Sequence, residues 1–469
     1  MKTLIKQTTI CILFSLSQLL AQDYNIQIDS IFQAYNSDST PGCAIAVVKD
    51  GKIVYKKGYG VADFEHNIPI TPQSVFYIGS VSKQFVAACT ALLEEEGKLS
   101  FDDEIHEYIP ELPSYPYPVT IRQLIHHTSG LRDYLDLGFL GEIDWYDYVS
   151  KQEIINLIAR QEKLNFKPGD QHSYCNTGYF LLALVVERVS GLAFKDYAKK
   201  YIFDPLKMTS SHFHDDPFHI IPNRAWSYQE NENGGYKFIV WRFSAVGSGG
   251  LYSTVEDLYK WDQNFYHNIL GKGRKAFIDT LEKPGRLNDG SAAGNYAFAM
   301  VNETYNGLKI INHTGSMGGY RAYYARFPEE NFSVITLGNL SSFNAKAMSR
   351  KVADLFLAAR MTFAKNEKDI RETDNSYKDY QLTAPEEYKG NFYTSELPAN
   401  YEIKIKNDDL FVSAQSEFVD NKILVPTDKD RFLIDNWLEF VFIRNQSGKV
   451  SGFVLNMKGG IQDIVFVKK

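Results

Sequence analysis

Apolar and polar positions alternate differently in different parts of the chain. Residues 25 to 36 set Ile28, Ile31, Phe32 and Tyr35 at the spacing of one helix face. The next stretch, "CAIAVVKDGKIVYKKGYGVAD", holds two β-rich runs around Asp50-Gly51, a dipeptide that predicts a tight hairpin. A long middle region then has mostly helical spacing. Its clearest segments are "QFVAACTALLEEEG" (84–97) and "GYFLLALVVERVSG" (178–191), each closed by a glycine suited to a helix end. After it, "LKIINHTG", "YRAYYARFP" and "NFSVITLGN" predict three strands, and "NAKAMSRKVADLFLAA" (344–359) predicts a helix.

Strands split by a long insert can join one antiparallel sheet, with the terminal helices packed on it. The pattern therefore predicts an α+β fold: an antiparallel sheet flanked by helices, plus a helical lobe. A cleft between the two is a natural place for a site. Residues 361–383 are charged and polar and predict a linker. From 384 to 469 the chain shows short, partly alternating runs separated by turn signals such as Asn407-Asp408, Ser447-Gly448 and Gly459-Gly460. That spacing predicts a small all-β domain, a barrel or sandwich.

The amino terminus differs from both. Lys2 and Lys6 precede an apolar run from Ile10 to Leu20, and Ala21 is a plausible cleavage position. Residues 1–21 thus predict a signal peptide and a secreted or periplasmic protein, with the main domain over 22–360. No later stretch has the length of a transmembrane helix. Cys43, Cys89 and Cys175 would remain after cleavage, an odd number that excludes a disulfide scaffold. The 469 residues are 44% hydrophobic and 23% charged, with a formal charge of -7 and no basic blocks. This is globular composition without the electrostatic footprint of a nucleic-acid binder.

Three short motifs could carry chemistry. In "YIGSVSKQF", Ser80 precedes Lys83 by about one helical turn, so the two share a face. A serine at a helix start gains from the dipole, and its backbone N–H can face a developing oxyanion. A buried lysine loses basicity and can act as a base. In "FKPGDQHSYCNTGYF", Tyr174 and Asn176 bracket Cys175 and would point the same way in an extended loop. A phenol near a lysine would have its pKa lowered and could relay a proton. In "INHTGSMGGYRAYY", His313 and Thr314 could hold a substrate carboxylate or carbonyl. Gly315 would let a substrate approach the backbone, and the Ser316 N–H could be a second oxyanion donor. Each motif alone has a plainer reading: solvated surface for Ser80 and Lys83, packing and helix capping for Tyr174 and Asn176, an edge-strand polar residue for His313.

Together, in this order, the motifs resemble the penicillin-recognising serine hydrolases. The likeness is to the branch of class C β-lactamases, D-Ala-D-Ala carboxypeptidases, esterases and D-aminopeptidases. "LIHHTSGL" (124–131), "PLKMTSS" (205–211) and "GSGGLYSTVEDLYKW" (247–261) add to the likeness, which covers roughly residues 25 to 360. The resemblance implies Ser80 as acylated nucleophile, Lys83 and Tyr174 sharing the general-base work, and Asn176 bonding Lys83 or substrate. It also implies His313, Thr314 and Gly315 along the substrate, and Ser80 and Ser316 N–H groups as oxyanion hole. Which of Lys83 and Tyr174 takes the proton stays open. His313 stands where class C β-lactamases have lysine, and a histidine is only partly charged near neutral pH. This weakens carboxylate recognition and points toward the peptidase and esterase members.

The function expected is therefore a serine hydrolase with an acyl-enzyme on Ser80, acting on D-amino-acid peptides such as peptidoglycan stems. Carboxylesterase or β-lactamase action on the same site, and an acylable sensor without turnover, are the alternatives. No metal or organic cofactor is expected. The C-terminal domain resembles the lipocalin-like domain of some peptidase relatives and could shape the cleft or mediate homo-oligomer assembly. "HFHDDPFH" (212–219) brushes against a metal-hydrolase signature, but Pro217 stands at its last histidine, and His212 and His214 read better as surface polar residues of a loop.

Overall fold

A computed structural model describes residues 24–469, apart from 142, 243, 363–379, 381 and 417. The segment read as a signal peptide, and most of the stretch read as a linker, lie outside the described residues.

The main sheet has six antiparallel strands: β1 (Cys43–Lys49), β2 (Lys52–Tyr59), β3 (Val301–Tyr305), β4 (Leu308–Met317), β5 (Tyr320–Phe327) and β6 (Phe332–Gly338). Their spatial order is β3-β4-β5-β6-β1-β2. The amino-terminal hairpin thus adds to a strand some 290 residues later, through pairs from Cys43↔Gly338 to Lys49↔Phe332. Asp50 and Gly51 both take positive φ, 50° and 74°, as the tight hairpin requires. Three carboxy-terminal strands were expected and four are present. The fourth, β3, is an edge strand whose sequence "VNETY" is too polar and too exposed to show an apolar alternation.

Strand β1 is apolar throughout because both its faces are covered. Cys43, Ile45 and Val47 join a core with Val352 and Leu357 of a helix, α4 (Ala345–Leu357). Ala44, Ala46 and Val48 face the other way, into the main core with the helical lobe. There α1 (Lys83–Glu95) packs on α2 (Asn176–Ser190), and α3 (Val255–His267) lies against α1 through Trp261 and Phe85. The Trp261 Nε1 of α3 donates to Gln84 Oε1 of α1 at 2.9 Å, which keeps its polar atom satisfied inside the core. Gly191 ends α2 with φ 71°. Cys43, Cys89 and Cys175 are all free and buried.

Residues 390–468 form a second antiparallel sheet of nine strands, β7 (Gly390–Tyr393), β8 (Asn400–Lys406), β9 (Asp409–Ser413), β10 (Lys422–Ile423), β11 (Val425–Asp428), β12 (Arg431–Ile434), β13 (Leu438–Arg444), β14 (Val450–Met457) and β15 (Ile464–Lys468). Its two outermost strands, β10 and β11, are separated in the chain by Leu424 alone, so the sheet curls into a nearly closed barrel. Phe392, Phe440, Phe453 and Phe466 fill it. The barrel docks on the helix Tyr134–Leu140: Tyr401 Oη donates to the Leu140 carbonyl at 2.7 Å, and the Phe139 and Phe418 rings lie 4.5 Å apart. Among the described residues no single helix is long and apolar enough to cross a membrane.

Candidate active site

Ser80 sits in a short 3-10 turn, Gly79–Ser82, that runs straight into α1 at Lys83. Gly79 needs its φ of 55° to make the turn. The turn is held from within by Ser82, whose Oγ donates to the Gly79 carbonyl at 2.6 Å. Ser80 is half-buried and Lys83 fully buried.

The surroundings of the Lys83 amine determine what it can do. Its Nζ lies 2.6 Å from the Ser248 carbonyl, 2.8 Å from Asn176 Oδ1 and 3.0 Å from Ser80 Oγ. Two of these partners are carbonyl oxygens, which only accept. A neutral amine has two N–H donors, and both are used there, so its lone pair is left facing the Ser80 hydroxyl. Burial pulls the Lys83 pKa down to about 7, against the opposing charge of Asp133.

Asn176 presents its oxygen rather than its nitrogen to Lys83 because Asp133 holds the other end of the amide. Asn176 Nδ2 donates to Asp133 Oδ2 at 2.9 Å, and the Asn176 backbone N–H donates to the same oxygen. Asp133 Oδ1 caps the helix Tyr134–Leu140 by accepting from Leu135 N at 2.8 Å. Asn176 is therefore the first residue of α2, not a loop residue capping it. Burial raises the Asp133 pKa, against these hydrogen bonds and the nearby Lys83.

Tyr174 closes the group. Lys83 Nζ lies 4.9 Å from its ring centroid, and the ring packs on His127 at 4.3 Å. The ring is 40% exposed along the cleft, while its hydroxyl end is desolvated. The expected lowering of its pKa is overturned. Desolvation raises it, and the hydrogen bond with Ser80 only partly opposes this.

The third motif lies on β4. His313, Thr314, Gly315 and Ser316 pair with Tyr324, Tyr323, Ala322 and Arg321 of β5. The reason for Gly315 differs from the one expected: a Cβ there would lie 1.9 Å from the Ile78 carbonyl. The glycine admits the turn that carries Ser80, and the approach sets the Ser80 and Ser316 nitrogens at the same end of the cleft. Thr314 and Ser316 are exposed to it. His313 is buried, and it is not partly charged near neutral pH as expected. Its Nδ1 lies 2.6 Å from the Thr314 carbonyl and must donate there, so Nε2, 3.0 Å from Tyr296 Oη, accepts. Burial and the Lys83 charge lower its pKa to about 4.

Ser80, Tyr174, His313, Thr314 and Ser316 line a cleft of about 460 Å³, with Tyr296, Glu303 and Lys346. All eight residues read from the motifs thus meet at this end of the sheet. Asp133, Ser248 and Tyr296 were not read. Asp133 had a local signal, an aspartate before an apolar run; Ser248 lies in the segment 247–261 that added to the likeness, but it meets Lys83 through its backbone carbonyl, which no residue type reveals.

His212 and Phe213 form a short strand paired with Leu251–Ser253, so His212 is half-buried beside Tyr252 rather than on a surface loop. Among the described residues, the donor atoms that come within metal-ligand range are those of Asp63, Glu65 and His66, none of which lines the cleft.

The family model described as Beta-lactamase matches residues 28–359. The chain is 29% identical over 341 residues to penicillin-binding protein 4* of Bacillus subtilis, across 68% of this chain and 73% of that one. It is 28% identical over 326 residues to a D-aminopeptidase of Cereibacter sphaeroides, across 68% of this chain but only 60% of the length of that relative. The octameric penicillin-binding protein homologue from Pyrococcus abyssi superposes with a TM-score of 0.63 at 23% identity, over 96% of this chain and 98% of that one, and so shares the fold. The family match takes in every residue of the cleft, and the chain belongs to the β-lactamase family as a serine hydrolase.

Proposed function

We propose that Ser80 is the acylated nucleophile and Lys83 its base, in a peptidase or amidase acting on D-amino-acid peptides. The observation that carries this reading is the Lys83 amine, whose two N–H groups are used by carbonyl oxygens and whose lone pair faces Ser80 Oγ at 3.0 Å. Ser80 Oγ attacks the substrate carbonyl and its proton passes to Lys83 Nζ. The oxyanion is met by the N–H groups of Ser80 and Ser316. The proton then goes to the leaving amine, with Tyr174 as the relay, since its raised pKa keeps the phenol protonated between transfers. The C–N bond breaks, the acyl group stays on Ser80, and water releases it by the reverse proton path.

The D-amino-acid class is supported by relatives named as D-aminopeptidases and as a penicillin-binding protein. A neutral His313, its one N–H already given to the Thr314 carbonyl, offers a substrate carboxylate no positive charge at that position. The amino-terminal signal-peptide pattern supports action outside the cytoplasm.

The test is intact mass over time after mixing the full chain with a penicillin, a D-Ala-D-Ala peptide, a D-alanine amide and a p-nitrophenyl ester. Ser80→Ala is run alongside. The expected result is turnover of a D-amino-acid substrate and an adduct absent from Ser80→Ala. An adduct that survives in Ser80→Ala refutes the nucleophile. Ester turnover alone moves the function to an esterase.

A further inference from the structure

A line of buried polar contacts joins the Ser80 turn to the C-terminal barrel. It runs from Lys83 through Asn176 to Asp133, and Asp133 follows Arg132 in the chain. The Arg132 side chain has no exposed surface. Its guanidinium is held mostly by the barrel. Nη1 pairs with the Glu396 carboxylate and donates to Gln161 Oε1 at 2.9 Å, and Nη2 donates to the Gln462 carbonyl at 2.6 Å. Gln161 Nε2 in turn donates to the Glu396 carbonyl at 2.7 Å. The same segment is clamped to the start of α2. The Arg132 carbonyl accepts from Thr177 Oγ1 at 2.7 Å, and Thr177 Oγ1 accepts from Tyr134 N at 2.8 Å.

A buried guanidinium is costly without its counter-charge, so Arg132 stays where Glu396 keeps it. Adjacent Cα atoms are about 3.8 Å apart, and fixing Arg132 leaves Asp133 little freedom. Asp133 sets the orientation of the Asn176 amide, and that amide holds the Lys83 amine. Further barrel contacts, from Tyr401, Ser416 and Phe418, go to the helix Tyr134–Leu140, and Gln462 N donates to Asn165 Oδ1 at 3.0 Å.

We infer that Glu396 is a positioning residue: through Arg132 and Asp133, the barrel holds the Lys83 amine in place for Ser80. This rests on the reading of Lys83 as base. It makes activity depend on barrel docking although, among the described residues, no barrel residue lines the Ser80 cleft.

The titratable groups around Lys83 are Asp133, Cys175, Tyr174, Tyr179, His127 and His313, with Asp136 behind Asp133. Asp133 supports the charged form of Lys83 against burial. If Asp133 drifts, the Lys83 midpoint moves to lower pH, while misplacement of the amine slows acylation.

The experiment uses the full chain with isotope-labelled lysine. The Lys83 titration is followed by NMR, its signal assigned by Lys83→Met, and Ser80 acylation by p-nitrophenyl acetate is timed in parallel. In Glu396→Gln the midpoint is expected to fall by about half a pH unit and the plateau acylation rate by about tenfold. Glu396→Asp, which keeps the charge and so protects folding, should show both effects in smaller measure. Tyr401→Phe, which weakens the same interface away from Arg132, should show neither. A Glu396→Gln midpoint equal to wild type, or a Tyr401→Phe shift of the same size, overturns the inference. Absence of wild-type acylation would instead refute the nucleophile reading, and the titration would still decide the role of Glu396.

Discussion

Gly79 and Ser316 approach so closely that a Cβ on the glycine would lie 2.4 Å from the Ser316 backbone nitrogen. Gly79 also holds a positive φ of 55°. The absent side chains of Gly79 and Gly315 therefore let the Ser80 turn and the strand β4 meet, and so bring the proposed oxyanion donors to one carbonyl. Gly79→Ala should push the two apart. We expect acylation of Ser80 to fall about 100-fold, the cost of losing one oxyanion donor. Ester hydrolysis, with circular dichroism to verify the fold, measures this; an unchanged rate would remove Ser316 from the oxyanion hole.

The two candidate bases should separate by mutation and pH. The proposed mechanism needs neutral Lys83, whose pKa burial lowers to about 7. As pH rises through about 7 the amine loses its proton, so kcat/KM should climb there and level off above. Lys83→Met should cost about 1,000-fold and erase that limb, while Tyr174→Phe should cost about 10- to 100-fold and keep it. The reverse ranking would make Tyr174 the base.

The same lysine should leave a mark on stability. Its pKa is about 7 folded against an ordinary value of 10.5. Between these values the unfolded chain holds a proton that the folded chain does not, so stability rises with pH across the window. Below pH 7 the folded state bears the full cost of burying the charge, about 5 kcal/mol. Thermal melts of Lys83→Met against wild type should show the variant more stable at pH 6 and the difference closing toward pH 10. A gap that does not change with pH would show that Lys83 titrates normally.

His313 should behave as an uncharged hydrogen-bonding group. Its Nδ1 donates to the Thr314 carbonyl, and its pKa lies at about 4. KM for a carboxylate-bearing substrate should then stay flat between about pH 5.5 and 8. A KM that worsens through pH 6.5 would show a cationic His313 taking part in binding.

Much of the fold could be read because periodicity follows local burial. Strand β1 is apolar at every position because two cores cover it, and α2 ends at Gly191 because a left-handed residue stops a helix there. Strand β3 was missed because an exposed edge imposes no apolar alternation on "VNETY". The barrel strands showed as short alternating runs, but their closure depends on Leu424 joining the two outermost strands, which no local pattern records.

The sequence by itself determined which residue types could do chemistry and in what order: a serine one turn before a lysine, a tyrosine two before an asparagine, and a histidine and threonine before a glycine. Those are covalent facts of the chain and survive any packing. Only the tertiary structure decided their chemical state, because protonation follows desolvation and partners rather than residue type. Burial took Lys83 down and Tyr174 up, against the expectation for a phenol beside a lysine, and neutralised His313. It also brought Asp133 and the Ser248 carbonyl to Asn176 and Lys83, and Glu396 to Arg132, from segments far apart in the chain. Such contacts exist only once the lobes and the barrel have closed on one another.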